Sequence, residues 1–528
     1  VSAEAAAGRR FRLWRESAGI VGVLVLWEVL ALLWLSPRHL APTPVAVVTT
    51  LWHHPNLALW PNMATTLEEA AVGWVAGNAV GIGLAIVFVL VPVAEAALLR
   101  VALASYCMPV IAVAPILDVV LSGIAPAAVL AALSVVFTSL IGTLVGLRSA
   151  DAASLDLVRA YGGGRIAQLR KVRIPAARPA TFAALQIAGP AAVLGAVIGE
   201  YLGGAKGLGV AMVNSEQGLE VNQTWLLASI VTALAGTAYL VIGAAGRLAT
   251  PWAQVSQQVV SPANGDRRLG PLARTLRALA YAVVSATVIV GLWLAVIDVL
   301  DLNPFFAKGP ADIWQYLVSS PTAGSSWRQL LSALAITARD AALGYVAGTA
   351  AAAAIAVAVV LSRAVEHTVM PIAMVLRSVP LVAMAPLLIL VFGQGLTSVI
   401  VIAGIISFFP TLVNVVYGLR SAPASAVDVA VAYGASSLMV LRKIRVPCAL
   451  PAVFASARIA APAATLGAVV AEWLATGRGL GYQMLEAANT SDFDFLWAAV
   501  ILITLFAFLV YNVVATAERL VFSRYHEA

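Results

Sequence analysis

Twelve stretches of about 20 mainly apolar residues run through this sequence, near 18–36, 70–91, 97–121, 126–147, 181–202, 225–246, 275–297, 341–362, 368–392, 397–418, 453–474 and 496–518. A helix of about that length spans the ~30 Å hydrocarbon core of a bilayer. It also satisfies its own backbone N–H and C=O groups, which lipid cannot do. The expected fold is therefore all-α and polytopic, with about twelve transmembrane helices. Pro109, Pro115, Pro380 and Pro386 interrupt the third and ninth stretches. Prolines are tolerated there when neighbouring helices or water serve the freed carbonyls.

Composition narrows the class further. Hydrophobic residues make up 61% of the chain and charged ones 11%, where a soluble domain has about 25% charged. Mean hydropathy is +0.94. A soluble enzyme, a disordered chain and a secreted disulfide scaffold are excluded. Cys107 and Cys448 are too few for a disulfide framework and are expected to be unpaired. Arg9, Arg10, Arg12 and Arg15 precede the first apolar stretch, which is long enough to stay as a span, so no cleavable leader is expected.

The net charge of +7 is unevenly spread. With a cytosolic N-terminus, twelve spans place 26 of the 32 basic residues on the inner side and six outside: Arg38, Lys206, Lys308, Arg328, Arg339 and Arg478. Of the acids, 10 fall inside and 13 outside, with Glu28 and Asp118 within spans. This is the inside-positive pattern of a plasma-membrane protein, with both termini cytosolic. Nucleic acid is not an expected partner; membrane lipid is.

The chain also repeats itself. Gly146-Leu147-Arg148-Ser149-Ala150 recurs as Gly418-Leu419-Arg420-Ser421-Ala422, and the offset of 272 then holds without a gap to residue 212. Roughly half the positions in that stretch are identical, including Glu200 with Glu472 and Gly207-Leu208-Gly209 with Gly479-Leu480-Gly481. Upstream, Gly73-Trp74-Val75-Ala76-Gly77 echoes Gly344-Tyr345-Val346-Ala347-Gly348. Six spans per half preserve orientation, so the repeats are parallel. The organisation expected is a first repeat over 1–250, a cytosolic linker over 251–272 and a second repeat over 273–528.

The best-matched segment begins in a basic inner loop, where span packing imposes no sequence. It reads Asp156-x-x-x-Ala160-Tyr161-Gly162, nine residues, then Val172-Arg173-Ile174-Pro175. The second copy reads Asp428-x-x-x-Ala432-Tyr433-Gly434, nine residues, then Ile444-Arg445-Val446-Pro447. Two short helices are expected in each loop. Asp156 would favour the positive end of the first, Gly162 and Gly434 would close it with positive φ, and Pro175 and Pro447 would stop the second. Arg170, Lys171, Arg442 and Lys443 add positive charge. A loop kept twice suggests one partner that docks twice.

These loops resemble the EAA motif of ABC-importer permeases, with Asp in place of Glu and with Leu157-Val158 and Val429-Ala430 in place of the alanine pair. The run Pro380 to Gly393, and Ala471-Glu472-Trp473-Leu474 followed by Gly479-Leu480-Gly481-Tyr482, look like the nitrate/sulfonate/taurine branch. The resemblance implies a type I importer permease with two halves fused in one chain. It also implies two cytosolic ABC ATPases docked on the loops, an extracytoplasmic solute-binding protein, and a sulfonate, nitrate, taurine or thiamine-precursor pyrimidine as solute. ATP and Mg would then lie on the ATPase, because the chain has no Gly-x-x-x-x-Gly-Lys-Ser/Thr loop of its own. Gly204 to Gly209 lacks that spacing and reads as an outer turn. The alternative is an ion-coupled secondary transporter of the 6+6 type.

Neither a catalytic cluster nor a metal pair stands out; His39, His53, His54, His367 and His526 are scattered. Candidate pathway or gate residues are Asp118, Gln186, Glu200, Gln394, Asn414, Arg458 and Glu472. Asp118 is an intramembrane carboxylate. Glu200 and Glu472, near outer span ends, suit a gate or helix pairing. Gln186 and Arg458 match across the repeat, and Arg458 would hold an inner gate or meet lipid phosphate. Asn78, Ser134, Thr138 and Ser407 line a wet cavity or join helices.

Overall fold

The computed structural model describes residues 42–53, 59–107, 125–218, 220–252, 271–299, 301–377 and 391–526, with short pieces in 25–35 and single positions in 117–121 and 385–389. The helices are α1 (Pro44–His53), α2 (Leu59–Leu90), α3 (Pro92–Cys107), α4 (Ala125–Arg148), α5 (Ala152–Ala160), α6 (Arg165–Gly203), α7 (Leu208–Gln217), α8 (Val221–Ala249) and α9 (Pro271–Val299). They continue as α10 (Pro310–Trp314), α11 (Ala323–Leu361), α12 (Arg363–Arg377), α13 (Leu396–Arg420), α14 (Ala424–Ala432), α15 (Ser437–Trp473), α16 (Leu480–Asn489) and α17 (Phe493–His526). No strand occurs among the described residues.

Nine described helices are long and apolar enough to cross a membrane, and they fall on nine of the twelve expected stretches. The remaining three, 18–36, 97–121 and 368–392, lie wholly or partly outside the described residues, as do Asp118 and all four span-interrupting prolines.

Packing divides the chain into two compact units. One comprises Leu57–Val213 and Ile230–Ser320. In it α4 is central, packed between α2 and α6. The other comprises Val1–Asn56, Asn214–Ser229 and Pro321–Ala528. Its centre is α13, between α11 and α15, with α17 against α15. The units of packing differ from the units of sequence. Helix α9 opens the second repeat, yet it lies in the first unit and packs on α3.

The glycine echo marks where helices touch. A Cβ on Gly73 would lie 2.4 Å from Ala131 Cβ, and one on Gly77 2.4 Å from Val135 Cγ2. In the second unit a Cβ on Gly348 would lie 2.2 Å from the Gly404 carbonyl oxygen. Close backbone approach of this kind is how apolar helices gain dispersion contact when no hydrophobic drive separates them from lipid.

Candidate functional site

Each repeated loop folds as a short helix, a tight turn and the start of a long span. In the first copy Asp151 precedes α5, with φ −60° and ψ 132°, and accepts hydrogen bonds from Ser154 N at 3.0 Å and Ser154 Oγ at 3.1 Å. This holds the Asp151 carboxyl below the ordinary aspartate range. The helix ends at Tyr161. Gly162, at φ +80°, donates its N–H to Arg159 O at 2.8 Å, and Gly163 N–H reaches Val158 O at 2.8 Å. These paired bonds are a Schellman ending, which calls for a left-handed residue at the glycine position.

The second copy repeats the ending. Gly434, at φ +77°, donates to Val431 O at 2.9 Å, and Ala435 N–H donates to Ala430 O at 3.0 Å. Pro423 stands where Asp151 stands, so α14 has no side-chain cap at its start. Both loops expose what a soluble surface would cover. Tyr161 is 86% exposed and Tyr433 89%, with Leu157 and Ile166 in the first loop and Val429, Val431, Leu438 and Met439 in the second also open. Asp156, Ala160, Gly162, Arg170 and Lys171 are exposed, as are Asp428, Ala432, Gly434, Arg442, Lys443 and Pro447; Pro175 is half-buried.

Two details of the sequence reading are corrected here. Asp156 is not at the start of its helix. It lies mid-helix, paired with Arg159 at 3.1 Å, because Asp151 takes the cap. Nor do Pro175 and Pro447 stop a helix. Residues Leu169–Arg173 and Leu441–Arg445 widen into π turns, and helix continues into the span. A proline lacks an N–H and crowds the carbonyl four residues back; the wider turn moves that carbonyl away.

Glu200 and Glu472 are fully buried, at 1% and 0% exposure, and act on backbone. Glu200 Oε2 accepts from Gly209 N at 2.7 Å, and Glu472 Oε2 from Gly481 N at 2.9 Å. Each carboxylate thus anchors the start of the short helix that follows, α7 or α16, to its own span. A threonine on the second span of each half completes the anchor. Thr66 Oγ1 accepts from Leu208 N at 3.0 Å. Thr337 Oγ1 accepts from Leu480 N at 2.9 Å and donates to Glu472 Oε2 at 2.8 Å.

A second acid lies beside each anchor, and sequence reasoning missed both. Glu69 is 4% exposed and its carboxyl meets that of Glu200; Asp340 is 0% exposed and is bridged by Arg339 at 2.7 Å. The expected spans began at 70 and 341, which left these acids outside, whereas α2 begins at Leu59 and α11 at Ala323. A signal existed: Thr66-x-x-Glu69 and Thr337-x-x-Asp340 recur at the same offset of 271 as the glycine echo.

The other candidates are used locally. Gln186 lies against Gly243, where an added Cβ would meet its Nε2 at 2.3 Å. Arg458, at the matching position, pairs with Glu518 of α17 at 2.9 Å. Asn414 donates to Pro410 O at 2.8 Å within its helix. Asn78 bonds Ser139 across α2 and α4, while Ser134 and Ser407 bond carbonyls of their own helices. Gln394 is exposed in a turn between Gly393 at φ +80° and Gly395 at φ +148°.

The model of one protein family matches the chain twice, over residues 77–254 and 344–525: the binding-protein-dependent transport system inner membrane component. Among similar proteins, the riboflavin transport system permease protein RibX of Chloroflexus aurantiacus is 36% identical over 158 residues, 30% of this chain and 59% of that protein. The formylaminopyrimidine transport permease protein ThiX of Halalkalibacterium halodurans is 30% identical over 156 residues, 30% of this chain and 62% of that protein. The taurine transport system permease protein TauC of Escherichia coli is 27% identical over 238 residues, 44% of this chain and 85% of that protein. The chain thus spans less than two thirds of the length of the first two.

Proposed function

This chain belongs to the family of binding-protein-dependent transport system inner membrane components, and from that premise we propose that it is the fused permease of an ATP-driven importer, with both transmembrane halves on one chain. The family is one of multi-pass transport subunits with the type I ABC permease fold, which work with ATPase subunits and solute-binding proteins. In this reading two ATPases dock, one on the loop 151–175 and one on the loop 423–447. ATP and Mg reside on those subunits, and both termini are cytosolic. A binding protein delivers solute on the outer side.

The observation that carries the reading is the duplicated loop helix, closed by the same glycine ending and presenting an uncovered tyrosine among apolar and basic side chains. Exposed apolar surface of this kind marks a protein contact. Each loop helix is followed by a tight turn, and the helix beyond that turn runs through a π turn into its span without a break. The relatives' names point to a small anionic or heteroaromatic solute, such as a sulfonate, nitrate, taurine or a thiamine-precursor pyrimidine.

The test is co-purification with, and uptake driven by, the ATPase. Proline at position 162 or 434 cannot adopt φ near +80° and lacks the N–H that closes the helix. Gly162→Pro with Gly434→Pro should abolish both docking and ATP-driven uptake. Gly164→Ala, at φ −76° with open space around it, should change neither. Uptake that survives ATP depletion but collapses with the proton gradient would instead support an ion-coupled secondary transporter.

A further inference from the structure

At the basic end of the second unit, a cavity of about 500 Å³ is lined by Val359, Val360, Arg363, Glu366, Arg420 and Arg445. It opens where two apolar spans finish, α11 at Leu361 and α13 at Arg420, which is the depth of lipid phosphate for a spanning helix. Three guanidinium groups face one carboxylate. Glu366 and Arg420 neutralise one another at 2.7 Å. The side chains of Arg363 and Arg445 make no hydrogen bond or ion pair among the described residues, and the start of α12 adds the positive end of a helix dipole.

The first repeat supplies an internal comparison. Its equivalent ion pair, Arg148 with Glu95, is kept. There, however, the matching arginine is occupied: Arg173 donates to Leu147 O at 3.0 Å. Pro92 stands at the position of Arg363, and Arg165, absent from the second repeat, donates to Leu90 O at 3.4 Å. The second repeat therefore carries an arginine at 363 in place of one at the position of Arg165, and its Arg445 lacks the carbonyl bond that Arg173 makes. Like charges gathered around a cavity cost free energy unless an anion occupies it.

The geometry points to a binding site for a phosphate-type oxyanion in this cavity, held by Arg363 and Arg445 through charge-assisted hydrogen bonds with Arg420 behind them. Guanidinium forks match the planar spacing of phosphate oxygens, and a basic pocket between spans at headgroup depth suits an anionic phospholipid. Free inorganic phosphate offers the same chemistry. This inference does not depend on the transport reading.

The experiment follows thermal unfolding of the full chain in detergent during titration with phosphatidylglycerol, phosphatidylcholine or inorganic phosphate. Stabilisation by phosphatidylglycerol but not phosphatidylcholine or phosphate identifies a lipid headgroup. Stabilisation by phosphate as well identifies the free oxyanion as sufficient. In either case Arg363→Gln should weaken the apparent affinity about tenfold, and Arg363→Gln with Arg445→Gln more, since one charge-assisted hydrogen bond is worth about that factor. Arg165→Gln, in the first repeat, should leave the response unchanged. Should the double variant not fold, Arg363→Gln alone decides, because this residue is exposed at a helix start. No response to either anion, an undiminished response in Arg363→Gln, or an equal loss in Arg165→Gln overturns the proposal. The first of these is the result expected if a cytosolic protein's carboxylate, rather than a phosphate, fills the cavity.

Discussion

Replacing Glu472 by leucine removes the acceptor that ties α16 to α15. Gly481 N–H, 2.9 Å from Glu472 Oε2, would be left buried with no partner in a site that water does not reach. Thr337 would lose its 2.8 Å bond to the carboxylate but keep its bonds to Leu480 N and Ala333 O, so its share of the cost is small. One orphaned buried amide costs about 1–3 kcal/mol, and a leucine in a carboxylate-shaped site adds some strain. A net loss of about 2–3 kcal/mol corresponds to a fall in melting temperature of roughly 3–5 °C for a unit of this size. The assay is thermal unfolding of the purified chain in detergent. Glu486→Leu is the comparison, an exposed acid on α16, and should change stability by less than about 0.5 kcal/mol. Glu472→Gln retains an acceptor and should recover more than half of the loss. If Glu472→Leu melts with the wild type, or glutamine is as damaging as leucine, the anchor is not what holds α16.

Three further outcomes follow from particular contacts. Gly348→Val would drive a Cβ to 2.2 Å from the Gly404 carbonyl and should cost at least about 3 kcal/mol, whereas Gly324→Ala, with open space around it, should be neutral or stabilising by up to about 1 kcal/mol; melting temperatures of the two variants separate them. A double-mutant cycle on Arg458 and Glu518, a half-buried pair at 2.9 Å, should give a coupling of about 1 kcal/mol in the same melt. The Asp151 carboxyl is held below its ordinary value of 3.8, so its support for α5 is complete above that pH and is lost as pH falls through the lowered value. Amide exchange at Ser154 should therefore quicken only in strong acid, while Met439, capped by a serine hydroxyl, should show no such step.

Much of this protein is legible in the order of its residues. Nine apolar stretches coincide with nine long helices, because a membrane-spanning helix needs nothing beyond its own length and apolarity to be recognised. The glycine endings of the loops were legible for a similar reason. A left-handed residue closing a helix is a local requirement, and Gly162 and Gly434 carry it. Asp156 misled because an acid near a helix start is only one way to cap it, and Asp151, closer to the first turn, was available. Pro175 and Pro447 misled because proline's effect depends on whether the turn before it can widen.

By itself the sequence determined the all-α membrane class, the doubling and the position of the two loops. These follow from hydropathy, periodicity and self-similarity, all of which act over short range. Only the tertiary structure decided that α9 packs with the first repeat's helices and that Glu69 and Asp340 join the Glu200 and Glu472 anchors. It also decided that Arg363 and Arg445 face a common cavity. Each of these brings together side chains more than 60 residues apart, and such meetings are set by how helices pack rather than by any property of the segments taken singly.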